Sequence, residues 1–162
     1  MHRRKCITAA AAIIVFIIAA AVLLKGDYGY HLVLHDVERG GVFAAYPMEE
    51  GDSFSVEFIH SVNKSPVVDV YRILEGEIFV EETIYYHFGA GVQTELNEGE
   101  TLTYGEDGSM IVGNIHQNRE GMVYRVGTGS DHILTIGQTQ ISLRDLCGKN
   151  AAVRFNYEFR LF

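Results

Sequence analysis

The sequence is poor in the residues that several common functional sites require. It has two cysteines, Cys6 and Cys147, and no CxxC pair, which argues against a thiol redox site or a cysteine-based zinc site. No GxSxG elbow, HxH or HExxH pair or acidic calcium loop occurs either. We therefore expect no catalytic residues, no metal site and no cofactor, and we predict that the protein is not an enzyme.

Basic residues are also scarce once the N-terminal region is set aside. Of the thirteen lysines and arginines, four lie in the first 25 residues, which leaves nine against twenty-one acidic residues and a net charge of −12 for residues 26–162. Such a charge repels phosphate backbones and anionic lipid headgroups. Nucleic acid is therefore not an expected partner.

The one long apolar run of the chain lies near its N-terminus. Cys6 to Leu24 is nineteen residues without a charge, and it follows the basic stretch MHRRK. As a helix it would be about 28 Å long, close to the thickness of a bilayer core, and the basic flank would hold the N-terminus in the cytoplasm. The sequence thus predicts residues 1–25 as a cytoplasmic tip and signal anchor or transmembrane helix, and residues 26–162 as an extracytoplasmic domain of a single-pass protein of the cytoplasmic membrane.

Cleavage of this segment is the alternative to its retention as an anchor. Ala19-Ala20-Ala21 provides small residues at the spacing that a signal peptidase reads, and cleavage there would make the protein secreted. The apolar run continues through Val22-Leu23-Leu24, beyond the usual length of a signal-peptide core, which favours retention.

Residues 26–162 show short apolar runs with a period of two, separated by glycines and acidic turns, and two prolines stand against seventeen glycines. This pattern is typical of an all-β antiparallel sandwich or barrel, here of about ten short strands. Glu75-Gly76 separates two such runs and predicts a tight hairpin, while Ser142 to Cys147 predicts a single helical turn capped by Ser142. The predicted strands are 30–37, 42–47, 53–61, 67–74, 77–88, 101–104, 109–113, 122–126, 132–136 and 151–159.

The stretch HSVNKSPVVDVY, residues 60–71, contains the first candidate site. His60 continues the apolar face of Phe54, Val56 and Phe58, so its ring needs a polar partner, and an antiparallel return of the chain would bring Asp69 beside it. One interpretation is a structural pair that fixes the intervening loop. The other is a pocket that binds a ligand.

A second candidate lies in HFGAG, residues 87–91, where Gly89 and Gly91 alternate after a strand. This spacing indicates either a glycine-rich turn or a close approach of a ligand to the backbone. The candidate binding residues of both stretches are His60, Ser61, Pro66, Asp69, Tyr71, His87, Gly89 and Gly91.

These two stretches resemble a bacterial family, the domain-of-unknown-function family 1850. The family pattern is His-Ser, a short loop, proline, an acidic residue and an aromatic, and then Phe-Gly-Ala-Gly after a strand. Asp69 stands where glutamate is usual, and Val92-Gln93 departs from the small-residue or proline continuation that the family shows after Gly91.

The resemblance implies a setting rather than a reaction. The family is often encoded beside permeases of TAXI-type TRAP transporters, in which an extracytoplasmic binding protein delivers small solutes to an ion-coupled permease. It therefore implies a tethered accessory domain whose partner is the permease or its solute-binding protein. The alternative from the residues is a small-ligand- or metal-binding domain, or an unrecognised enzyme, built on a pocket of His60, Asp69 and His87.

Overall fold

The computed structural model describes residues 28–62, 64–86 and 95–161. The chain divides into two compact units, one of residues 30–158 and one of residues 1–29 with 159–162. Of the second unit the structure describes residues 28, 29 and 159–161, which are the ends of two strands. The core and the candidate site both lie in residues 30–158.

Eleven strands and one short helix occur in the described ranges, which confirms the all-β prediction. They are β1 Tyr28–Asp36, β2 Val42–Pro47, β3 Ser53–Ile59, β4 Pro66–Leu74, β5 Glu77–Tyr85, β6 Thr101–Tyr104, β7 Met110–Asn118, β8 Val123–Arg125, β9 His132–Ile136, β10 Thr139–Ser142, α1 Leu143–Cys147 and β11 Ala152–Leu161. The strand β10 is absent from the sequence prediction, because TQIS has little apolar alternation to mark it.

The strands form two antiparallel sheets. Across the described ranges, the narrow sheet has the order β2-β1-β11-β8, and the wide sheet has the order β10-β9-β3-β4-β5-β7-β6. Alternate residues of both sheets are buried in one core, such as Leu32 and Leu34 of β1, Phe155 of β11 and Phe54 and Val56 of β3. The two sheets therefore pack face to face as a sandwich, which decides between the two predicted architectures.

The hairpin between β4 and β5 forms at the predicted turn. Leu74 pairs with Glu77 across Glu75 and Gly76, whose φ angles are 55° and 76°. Two consecutive positive φ angles are the signature of a type I′ turn, whose twist matches that of the flanking strands. The Glu50 carboxylate accepts the backbone N–H of Glu75 at 2.6 Å and that of Gly76 at 3.2 Å, so a distant side chain also stabilises the turn.

The predicted helical turn is also present. The helix α1 begins after Ser142, whose hydroxyl accepts the backbone N–H of Asp145 at 3.0 Å, as an N-cap does. Asp131 fixes this cap, because its carboxylate accepts the Ser142 hydroxyl at 2.5 Å and the Arg144 N–H at 3.0 Å.

The predicted membrane segment, residues 6–24, lies outside the described residues. Within the described ranges, no helix has the length and apolar character needed to cross a bilayer. The anchor and its orientation therefore stay predictions.

Candidate functional site

Asp69 is the centre of a hydrogen-bonded network on the inner face of the wide sheet. Its Oδ1 accepts the hydroxyl of Thr83, directly opposite on β5, at 2.9 Å. Its Oδ2 accepts the hydroxyl of Tyr124 at 2.8 Å, and Tyr124 lies on β8, the edge strand of the narrow sheet. Tyr71 completes this group, which we call the Asp69 network: Asp69, Tyr71, Thr83 and Tyr124.

The protons of the two tyrosines have one consistent arrangement. The hydroxyls of Tyr71 and Tyr124 lie 2.6 Å apart, while Tyr71 is 3.4 Å from the Asp69 carboxylate. A phenol has a single proton, and that of Tyr124 is donated to Asp69 at the shorter distance. Tyr71 therefore donates to Tyr124, and the hydroxyls form a short chain that ends on the carboxylate.

Both tyrosines are held in the protonated, donating form. Burial raises the pKa of Tyr71, and the negative charge of Asp69 raises it further. Burial also raises the pKa of Tyr124, with added contributions from Tyr71 and Asp69. Neither phenol is suited to act as a base or a nucleophile near neutral pH.

A bulge in β5 places Thr83 in this network. Leu74 to Tyr71 pair regularly with β5, but Val70 pairs with Glu82, so that Glu81 is an extra residue in the ladder. A regular register would place Glu82 opposite Asp69, with two like charges face to face. The bulge replaces this repulsion with the hydrogen bond from Thr83.

The neighbouring strand β7 departs from regular geometry at the same level. Val80 pairs with Gln117 and Glu82 with Gly113, so three residues of β7 bulge out between them. Two of these, Asn114 and His116, have backbone φ angles of 55° and 45°, which residues other than glycine rarely adopt. The His116 ring lies 2.9 Å from the Glu81 carboxylate and joins the two irregular segments.

A cavity of about 270 Å³ opens beside the Asp69 network. We call it the Asp69 cavity, and side chains of β4, β5 and β7 line it together with two residues that precede β6 and one that follows β7. Its walls carry carboxylates, amides, hydroxyls, one guanidinium and two aliphatic side chains, which belong to Asp69, Tyr71, Val80, Thr83, Tyr85, Asn97, Glu100, Ile115, Gln117 and Arg119.

Two positions in this cavity carry opposite charges with defined contacts. Arg119 follows β7 and donates from Nη2 to Oε1 of Gln117 at 2.7 Å. Glu100 accepts both the backbone N–H of Asn97, at 2.8 Å, and the Asn97 amide, at 2.7 Å. The cavity therefore presents one guanidinium and two carboxylates on walls that the strands and a tight turn hold in place.

Comparison with known proteins gives one match. A family model described as a domain of unknown function, DUF1850, matches residues 54–143, which is more than half of the chain and includes the whole Asp69 network. The chain belongs to the DUF1850 family. No curated protein and no solved structure matches it. The predicted family is thus confirmed, while the predicted link to TAXI-type transporters stays a prediction.

Within the DUF1850 region, the structure does not bring His60 and Asp69 together. Val56 pairs with Asp69, and Ile59, the last residue of β3, pairs with Pro66. His60 therefore lies four residues beyond Val56, a distance of about 13 Å in extended chain. The predicted pairing is therefore wrong. A pairing of His60 with Asp69 requires the chain to turn back nearer to Asp69, whereas Ile59 already pairs with Pro66, where β4 begins.

His60 instead stabilises the loop between β3 and β4. Its backbone N–H donates to the carbonyl of Ser65 at 2.9 Å, and its Nδ1 accepts the backbone N–H of Val62 at 3.3 Å. Ser61 is exposed, and Pro66 is the first residue of β4, where a strand tolerates proline. These contacts fit the structural interpretation of His60, with Ser65 and Val62 as its partners.

The other predicted positions divide into two groups. Asp69 and Tyr71 line the Asp69 cavity, whereas His60, Ser61 and Pro66 do not line it. His87, Gly89 and Gly91 lie outside the described residues and stay predictions. In the described part of the chain, no group of three or more histidine, cysteine or acidic residues is placed to hold a metal ion.

The sequence does not predict three residues of the Asp69 network and the Asp69 cavity. The bulge at Glu81 places Thr83, whereas Arg119, which follows β7, and Tyr124 of β8 are both distant from Asp69 in the chain. The sequence signal for Arg119 is weak: it is one of nine basic residues after residue 25, so an arginine among polar side chains of this acidic domain is uncommon.

Proposed function

We propose that this chain is a non-enzymatic accessory domain, tethered to the outer face of the cytoplasmic membrane through residues 6–24, that acts by recognition. The observation that carries this proposal is the Asp69 network beside a polar cavity. The Asp69 carboxylate accepts two hydroxyl donors, Thr83 and Tyr124, and is fixed in position, so it presents a preorganised polar surface. Preorganised polar groups in a concave site are typical of binding sites.

Four described side chains that could act as a nucleophile or base, those of His60, Cys147, Tyr71 and Tyr124, support recognition rather than catalysis. His60 uses Nδ1 to accept a backbone N–H, so that nitrogen cannot activate a neighbouring hydroxyl. Burial raises the pKa of the Cys147 thiol to about 11, which leaves it protonated at neutral pH. The two network tyrosines are donors with raised pKa values.

The transporter setting rests on the family resemblance and on charge. TAXI-type systems handle small solutes outside the membrane, and a domain confined to that surface is close to both the permease and its binding protein. The net charge of −12 on residues 26–162 opposes the capture of anions from bulk solution. A role in contact with the transport proteins therefore fits the domain better than a role as the primary collector of anionic solute.

The test of this role is cross-linking in the native membrane. A photoactivatable residue at Val62, which is 63% exposed in the loop between β3 and β4, is compared with one at Gln138 in the β9–β10 turn. We expect the tagged full chain to capture the permease or the binding protein from Val62 and not from Gln138. The accessory role is wrong if cross-linking captures neither transport protein and neither co-purifies with the chain in mild detergent.

The tether has its own test. Membrane fractionation and sequencing of the mature N-terminus distinguish retention from cleavage after Ala21. We expect the full chain, with an intact N-terminus, in the cytoplasmic membrane, and protease added from outside should digest residues 26–162. A mature chain that begins at Val22 would make the protein secreted and would remove the tether from the proposal.

A further inference from the structure

Arg119 has donors that its own contacts do not use. A guanidinium carries five N–H groups, and in the described part of the chain its side chain donates one hydrogen bond, to Gln117. The side chain lines the Asp69 cavity, and the planar fork of a guanidinium matches a carboxylate in two parallel hydrogen bonds. This wall of the cavity is therefore complementary to a carboxylate.

The remaining charges of the cavity oppose a ligand that is only an anion. Asp69 and Glu100 line the same space, and the domain has a large net negative charge. Two like charges about 4 Å apart repel by about 4 kcal/mol at the effective dielectric constant of a protein surface. A carboxylate ligand that also carries a positive charge avoids this cost, because the positive group faces the carboxylates.

Asp69 has the capacity to receive that positive group. An ionised carboxylate has about four acceptor positions, and the hydroxyls of Thr83 and Tyr124 use two of them. The two donors also fix the orientation of the carboxylate, so that it does not reorganise when a ligand arrives. An ammonium group would occupy a remaining acceptor position.

Size and the aliphatic walls restrict the ligand further. The volume of about 270 Å³ lies below the usual range for drug-sized ligands, which begins near ~300 Å³. Val80 and Ile115 contribute two aliphatic side chains to the lining, and Ile115 lies at the centre of the irregular segment of β7. The space therefore fits a small molecule that has a carboxylate, an ammonium group and a short aliphatic side chain.

We propose that the Asp69 cavity binds a free, neutral α-amino acid, with its carboxylate on Arg119 and its ammonium group on Asp69. This inference concerns the chain itself and does not depend on a transport partner. Capture of a transport protein without amino-acid binding would remove this inference alone, and amino-acid binding without such capture would remove the accessory role alone.

The experiment is isothermal titration calorimetry of the full chain in mild detergent, with three ligands that share the branched four-carbon isobutyl unit. L-Valine carries both charges, isobutylamine only the positive charge and isovalerate only the negative charge, and glucose serves as an uncharged polyol. We expect L-valine to bind and each single-charge analogue to bind about tenfold more weakly or worse, a difference of about 1.4 kcal/mol. Failure of L-valine to bind, equal binding of either analogue, or preferential binding of glucose would each overturn the proposal.

Variants locate the site. Arg119→Ala and Asp69→Asn should each weaken L-valine binding by about tenfold or more, a loss of about 1.4 kcal/mol or more. Arg125→Ala is the matched control, because Arg125 forms an exposed ion pair with Glu38 and does not line the cavity. Arg119→Gln is a second variant, which removes the positive charge but keeps a polar side chain. Circular dichroism checks that each variant is folded. Unchanged affinity in the folded Arg119 variants would show that the cavity is not the site.

Discussion

Replacing Tyr124 by phenylalanine removes one hydroxyl from the centre of the Asp69 network. That hydroxyl donates to Asp69 at 2.8 Å and accepts from Tyr71 at 2.6 Å. The change therefore removes the short hydrogen bonds of the half-buried Asp69 carboxylate and of the buried Tyr71 hydroxyl to Tyr124. Replacing Tyr71 by phenylalanine removes the hydroxyl at the outer end of the chain and leaves the bond from Tyr124 to Asp69 intact.

The two variants should differ in size of effect for this reason. A hydrogen bond to a charged group contributes about 1.5–3 kcal/mol, and one between neutral groups contributes about 0.5–1.5 kcal/mol. We expect Tyr124→Phe to lower the free energy of unfolding by about 1.5–3 kcal/mol. Tyr71→Phe should lower it by about 1 kcal/mol.

The assay is equilibrium urea unfolding of the full chain in mild detergent. The sequence has nine tyrosines and no tryptophan, so far-ultraviolet circular dichroism is followed together with tyrosine fluorescence. Tyr86→Phe is the control, since Tyr86 is 39% exposed and exposed substitutions usually change stability by less than about 0.5 kcal/mol. If Tyr71→Phe destabilises the protein as much as Tyr124→Phe, the proton arrangement is wrong.

Three further changes test other parts of the domain. Gly127→Ala should destabilise it by about 1–3 kcal/mol, because an added Cβ would lie 2.2 Å from the backbone oxygen of Ser130, whereas Gly129→Ala meets no atom within 4 Å and should be neutral in the same urea assay. Glu75→Asn should stabilise it by about 0.5–1 kcal/mol, since asparagine tolerates the φ of 55° in the turn better than glutamate, and a higher urea midpoint would show this. Burial lowers the pKa of His132 from its usual 6.5, so the folded state binds a proton less readily than the unfolded state; stability present above about pH 6.5 should be lost as the pH falls through the lowered pKa. His132→Gln should remove that part of the pH dependence between pH 7.5 and 5, and an unchanged slope would contradict the assignment.

The strands and turns were predictable from local sequence because local geometry determines them. Glu75-Gly76 is flanked by alternating apolar residues, and a two-residue loop with a glycine restricts the pairing on both sides. Ser142 followed by Asp145 fits a helix cap by the same local logic. Period-two runs such as that of Phe54 and Val56 identified which residues face the core, and both are buried.

The register near the site was not predictable in the same way. A regular ladder from the turn at residues 75 and 76 would place Asp69 opposite Glu82. The bulge in β5, which lies beside the irregular segment of β7, changes that partner to Thr83. His60 illustrates the same difficulty, because the length of the loop between β3 and β4 determines which residue of β4 lies nearest to it. Tyr124 reaches Asp69 from the other sheet, across 55 positions of sequence, and no local pattern carries that information.

The irregular segments beside Asp69 indicate that this part of the fold serves a site rather than the sandwich. Asn114 and His116 hold left-handed φ angles, each at a cost of about 1 kcal/mol, and regular pairing of β5 with β7 would not require either. Between them Ile115 enters the Asp69 cavity, and after them Gln117 and Arg119 line its wall. A shorter, regular β7 would keep the ladder but would change which side chains face Asp69. The strain is therefore linked to the placement of the cavity wall, which is the part of the fold on which the proposed recognition role depends.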